Sequence, residues 1–140
     1  MQTFLPLPSY IRSAQALDSR RLGNQCYRET LTILRGGWTN HPASRMWRGH
    51  EYELAAYGRA LAVEMRRRGG WRQEVTDRWI NFYNNAMRDL PRTPRPPWFG
   101  NSEFHRAHQS NLIRKDPEHY GQLFPGVPDN LPYIWPEATV

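Results

Sequence analysis

Apolar residues recur at helical spacing along most of this chain, with no sustained two-residue alternation that would mark strands. Leu22, Cys26 and Ile33 share one face of a segment over residues 20–34. Trp47, Leu54, Gly58, Leu61 and Met65 form a longer stripe, and His50 fills its one gap. A core-facing histidine with a local hydrogen bond is the expectation there. Val75, Trp79, Phe82 and Ala86 repeat the pattern once more.

Punctuation between the stripes sets the boundaries. Ser9 caps a short helix through Leu17, and Asp18 or Ser19 caps a second to about Leu34, with Gly23 as its weak point. Gly36-Gly37 stops it. A third helix is expected from about Pro42 to Arg68, with Arg66-Arg67-Arg68 in its last turn, where cations suit the helix dipole. A fourth runs from Trp71 to about Asp89 and a fifth over about Ser102–Arg114. The stretch Met1–Pro8 carries two prolines and reads as an extended arm. Leu90–Pro97 is a rigid, arginine-bearing connector, and residues 120–140 read as an irregular strap rich in proline and aromatics. The fold class expected is all-α: one compact helical bundle over residues 1–140, with an extended N-terminal arm and an irregular tail.

Charge adds a partner to this picture. The chain has 140 residues, a net charge of +6, and 18 arginines against the single lysine Lys115. Guanidinium forks suit phosphate oxygens, and six Trp, seven Tyr and five Phe supply stacking surfaces. Double-stranded DNA is the expected partner. Three basic groups offer phosphate contacts: Arg20, Arg21 and Arg28; Arg45 and Arg48; Arg114 and Lys115. No 18-residue apolar run and no secretion signal are present, so a cytoplasmic monomer that enters no membrane is expected. Cys26 has no intrachain partner and lies on an apolar face, as a buried thiol would.

Glu29 is the acid that stands out. On an ideal helix it falls about 20° from Leu22, beside the apolar stripe, with Arg21, Gln25, Arg28 and Thr32 on the adjoining face. A carboxylate half in a core needs a partner or a task. Histidines give a weaker signal. His105 and His108, spaced three apart with Asn111 three further on, lack the acid of a zinc-protease motif and any cysteine pair. No metal or other cofactor is expected. These three residues are expected to line or brace a cleft by hydrogen bonding. Schiff-base chemistry needs an amine, and only Lys115 and the α-amino group of Met1 are offered. The α-amine has the lower reference pKa, so it is the better nucleophile near neutrality.

These residues resemble a known family. Tyr27-Arg28-Glu29 on an early helix, and His41 ahead of a long helix that ends in basic residues and glycine, are similar to the pyrimidine-dimer DNA glycosylase and AP-lyase family, the endonuclease V-like enzymes. Phage and bacterial members share Met-Gln-Thr-Phe-Leu-Pro, Arg-Leu-Gly, Asn-His-Pro, Met-Trp and the block from His108 to Tyr120. The resemblance implies a helical domain that flips a nucleotide from duplex DNA, within a bacterial or phage-infected cell. It also implies an N-terminal amine that attacks C1′ and a glutamate that assists base removal and β-elimination. Carried over, Glu29 is the acid and Met1 the amine. Arg21, Arg28, Arg45, Arg114 and Lys115 would hold phosphates, and Gln25, Asn40, His41, His105, His108 and Asn111 would line the cleft. Gln2 is bulky enough to keep Met1 in place, so either Met1 supplies the amine, or Thr3 is not equivalent to the family's amine-bearing threonine, or the lyase step is absent. The alternative from another class is a non-catalytic DNA- or protein-binding module on the same scaffold.

Overall fold

Several helices start where a polar side chain accepts a hydrogen bond from the first turn. The computed structural model describes residues 2–136, and every regular element among them is helical. Ser9 accepts from Arg12 N at the start of α1 (Tyr10–Ala16), and Asp18 from Arg21 N at the start of α2 (Ser19–Asn24). The second helix continues through a π turn (Gln25–Glu29) into α3 (Thr30–Leu34). α4 (Pro42–Arg45), α5 (Glu51–Arg68), α6 (Gln73–Asp89), α7 (Ser102–Lys115) and α8 (Pro117–Leu123) complete the order. α5 is the spine. It packs against α6 on one side and α1 on the other, and it also meets α2, the π turn and α3. Gly69, at φ 79, stops it.

Three expectations change. The long helix from Pro42 to Arg68 is two helices. Gly49 turns the chain at φ 86 and its N–H donates to Glu51 Oε1, so α5 starts afresh at Glu51. The stripe survives because Trp47 and Leu54 are both buried on either side of the break. His50 is buried as expected, and its Nδ1 pairs with the Pro94 carbonyl 3.1 Å away in the connector. The tail holds a helix, α8, that begins with Asp116 accepting from His119 N and Pro117 in the first turn. On α6, Tyr83 and Thr76 are the fully buried positions, while Val75, Trp79, Phe82 and Ala86 lie half-buried around them.

The N-terminal arm is buried from Gln2 to Pro6 although it forms no ladder. Side chains take the place of a neighbouring strand. Gln25 accepts from Phe4 N through Oε1 (3.0 Å) and donates Nε2 to the Gln2 carbonyl (2.8 Å). His108 Nδ1 accepts from Leu5 N at 2.8 Å, and His105 Nδ1 donates to the Leu5 carbonyl at 2.7 Å. Tyr57 donates to the Phe4 carbonyl, Trp47 Nε1 to Thr3 Oγ1, Gln109 to the Pro6 carbonyl, and Ser13 serves both polar groups of Leu7. Buried polar groups must be paired, and here α1, the π turn, α5, α7 and the turn that carries Trp47 supply the partners.

The two histidines make that arm sensitive to acid. Gly100 N donates to His105 Nε2, so the network assigns both rings as neutral, with the proton on Nδ1 in His105 and on Nε2 in His108. Burial lowers both, and His108, with His105 beside it, is pushed down to about 3 from 6.5. The unfolded chain therefore binds protons that the folded chain refuses, so the contribution of these histidines to stability is complete above pH 6.5 and is lost as the pH drops. Between pH 6.5 and 4.5, before Asp18 and Glu64 lose their own partners, His108 should remove about 1.4 kcal/mol per pH unit. Urea melts across that window should show the slope. In His108→Gln the slope should flatten.

Candidate functional site

The π turn decides where the acid points. Thr30 N donates to the Gln25 carbonyl, five residues back, so one extra residue is fitted into this turn. It turns the helix face so that Gln25 is buried on the arm, Tyr27 and Arg28 face outward, and Glu29 lies half-buried between them. Gln25 thus leaves the polar face on which an ideal helix places it. Gly23 is no kink. A methyl there would stand 2.9 Å from the Tyr27 hydroxyl, so the missing side chain makes room for that ring.

Glu29 sits in a cleft of about 220 Å³. Gln2 and Phe4 of the arm form one wall, and Arg21, Asn24 and Gln25 of the second helix form another. Lys115, at the end of α7, and Tyr133 of the tail close the edge. The Glu29 side chain is only 13% exposed. Its Oε1 lies 3.9 Å from Arg28 Nε, and its Oε2 is buried without a hydrogen-bond partner among the described residues. Burial raises the carboxyl above the ordinary carboxylate range, and the Arg28 guanidinium pulls it part of the way back. A carboxylate that lines a recess with one oxygen buried and unpartnered is costly to fold around and ready to accept a proton or stabilise a cation.

The basic residues divide. Arg21 and Lys115 line the cleft; Arg21 is partly held by Asp18, at 3.2 Å. Arg28 is exposed beside it. Arg114 is exposed one residue from Lys115 and donates to Asn111 Oδ1. Arg45 lies apart, on a second recess of about 210 Å³ formed with Pro42, Trp135 and Pro136. The two hollows are neighbours, because Tyr133 of the first packs against Trp135 of the second, with ring centroids 5.4 Å apart.

Several expected cleft residues stand elsewhere. Asn40 is exposed in the loop ahead of α4. His41 caps α4 by accepting from Ala43 N, and meets Trp135 edge-on. His105, His108 and Asn111 lie behind the cleft in the core. The histidines hold the arm, and Asn111 donates to the carbonyls of Ala107 and Leu131, which pins the tail. They brace the site without lining it. Met1 lies outside the described residues; Gln2, to which it is bonded, lines the cleft. Gln2 and Phe4 were legible in principle, since alternate residues of an extended arm face the same way. Nothing in the pattern pointed to Asn24 or Tyr133.

Fold and site define a helical protein with one half-buried carboxylate in an arginine- and lysine-edged cleft. A family model described as pyrimidine dimer DNA glycosylase matches residues 1–86, which carry the arm, the π turn, Glu29 and the spine helix. The chain belongs to the pyrimidine dimer DNA glycosylase family. Lys115 and Tyr133, which complete the cleft, lie beyond the matched segment. No curated protein and no solved structure matches the chain. No helix among the described residues is long and apolar enough to cross a membrane.

Proposed function

We propose that this chain removes one base of a pyrimidine dimer from duplex DNA and then cleaves the abasic strand. The carrying observation is the unpartnered Glu29 oxygen in a cleft that also holds the start of the arm. In this reading the α-amine of Met1 attacks C1′ of the target sugar. The C1′–N bond breaks, its electron pair leaves with the base, and Glu29 stabilises the positive charge on the sugar. Loss of a proton from the new amine and opening of the ring give an iminium. Glu29 takes a C2′ proton to give an enamine; the C3′–O bond then breaks, its electron pair leaves with the 3′ phosphate, a C2′–C3′ double bond forms and the iminium returns. Arg21, Arg28 and Lys115 hold flanking phosphates.

A second reading of the amine is favoured by one observation. Lys115 is the sole lysine and lines the Glu29 cleft, so its Nζ is a rival nucleophile. For the reaction as a whole, duplexes carrying a single cyclobutane pyrimidine dimer test the reading. Base release and strand cleavage are expected at the dimer, with undamaged duplex left whole. Equal cleavage of both, or of neither, would speak against it.

Salt dependence follows from the basic edge. Each phosphate contact contributes about 0.9 to the slope of log K against log salt. Arg28→Ala and Lys115→Ala should each weaken duplex binding and reduce that slope by about 0.9. Titrations over a range of salt would check this. An unchanged slope in both variants would remove these residues from the interface.

A further inference from the structure

Five buried side-chain polar atoms lack a hydrogen-bond partner among the described residues: Gln2 Nε2, Glu29 Oε2, Thr30 Oγ1, Thr93 Oγ1 and His108 Nε2. Of these residues, Gln2 and Glu29 line the same cleft. Gln2 is only 4% exposed, and its amide is held in one orientation. Thr3 N donates to it at 2.9 Å, which fixes that atom as the oxygen and leaves Nε2 as the free end. Gln25 Nε2 clamps the Gln2 carbonyl at 2.8 Å, so the backbone beneath is tied as well. An amide N–H and a carboxylate would satisfy each other if they met. They do not meet, although both residues line one recess of about 220 Å³. A buried donor and a buried acceptor left open in one cleft call for a third group that suits both.

Breaking a glycosidic bond produces such a group. Positive charge grows at C1′, where Glu29 answers it, and negative charge grows on the departing base. In a cyclobutane dimer the C5–C6 bond of the ring is saturated. The electron pair released onto N1 can therefore spread only through C2 to the O2 carbonyl. Such a base leaves poorly unless a donor holds O2. We propose that Gln2 Nε2 is that donor: it hydrogen-bonds O2 of the departing pyrimidine while Glu29 stabilises C1′. O2 sits on C2, the ring atom next to N1, so the acceptor and the growing cation are close enough to share one small recess. The C1′–N1 bond breaks, its electron pair passes to N1 and O2, and the base then takes up the proton that the attacking amine loses. This rests on the proposed base excision and deepens it, because a donor at this place selects a ring carbonyl beside the glycosidic nitrogen.

The test separates base removal from strand cleavage, under single-turnover conditions with protein in excess. One duplex carries a single dimer. The other carries an abasic site in its place, so no base has to leave. Gln2→Met keeps the length of the side chain and a bulky residue after Met1, and it has no N–H to donate. It should lose roughly a hundredfold in base release from the dimer and less than about threefold in cleavage of the abasic duplex. Gln2→Glu keeps an oxygen for Thr3 N and, once ionised, also has no proton to give. At alkaline pH it should show the same split. Borohydride trapping on the abasic duplex should be undiminished in both variants. Equal loss on the two substrates in both variants would make the amide a brace for the arm. Full base release from the dimer in either variant would remove it from the reaction. Both results overturn the donor and leave base excision standing. If the parent releases no base from the dimer, base excision itself falls and the donor with it.

Discussion

Glu29→Gln should abolish strand cleavage at a pyrimidine dimer, by a factor of roughly 10² or more, while leaving DNA binding nearly intact. Glutamine keeps the shape of the side chain but can neither hold the negative charge against C1′ nor take the C2′ proton. The thermal midpoint should stay level or rise. In the parent, burial holds the folded-state pKa of Glu29 above its unfolded value of 4.5. The folded protein thus binds the extra proton, and stability declines as pH rises through the folded pKa and the buried group ionises. Removing the charge relieves that cost, which is the usual trade between stability and activity at such a site. The same shift fixes the pH response of catalysis. Activity needs the ionised carboxylate, so it should rise with pH through the raised pKa of Glu29 and be lost below it. Rates and melting curves of the two proteins across pH would check both halves. A Glu29→Gln variant that cuts at the parent rate would remove the acid from the mechanism.

Gly58→Ala should be the most damaging single methyl in the fold. An added Cβ at Gly58 would meet the Tyr83 ring at 2.2 Å, at the crossing of α5 and α6. Both partners are fully buried or nearly so, and the ring is tied at its far end, where its hydroxyl donates to the Cys26 carbonyl inside the π turn. Neither helix can give without disturbing the turn that aims Glu29. Overpacking of this kind costs about 1–3 kcal/mol, which should lower the melting temperature by on the order of 10 °C. Cleavage activity should fall more than the loss of folded protein explains. Tyr83→Leu added to Gly58→Ala should restore part of the stability, because the two changes act on one contact. Thermal and urea melts of the two single variants and the double variant would show that coupling; strict additivity would place the strain elsewhere.

The helices were legible because their stripes and stops are local. Gly36-Gly37, Gly69 and the capping Ser9 and Asp18 act within one turn of where they stand. The break at Gly49 was hidden because Trp47 and Leu54 remain in phase across it, so a stripe of buried residues reads the same whether the backbone is continuous or turned. The π turn was hidden for a related reason. Leu22, Cys26 and Ile33 tolerate one extra residue between them, and only the Thr30-to-Gln25 hydrogen bond reveals it. At the site, Glu29 could be picked out as an acid bordering an apolar face. Gln25, His105 and His108 could not be assigned, because what they satisfy is the peptide backbone of Phe4 and Leu5. Sequence patterns report side chains seeking apolar surroundings, whereas a buried extended arm recruits polar ones. Tyr133 reaches the cleft from far along the chain, where Asn111 and Ser110 fix the tail at Leu131.

Borohydride trapping with a duplex bearing one cyclobutane dimer is the most direct measurement of the central claim, followed by mass mapping of the attached nucleotide. The expected result is a covalent adduct on the α-amine of Met1 that persists in Lys115→Ala, and cleavage that disappears in Glu29→Gln. An adduct on Lys115 would move the nucleophile to the other side of the same cleft. Base release with no adduct, or no base release at all, would contradict the account of amine and glutamate acting together.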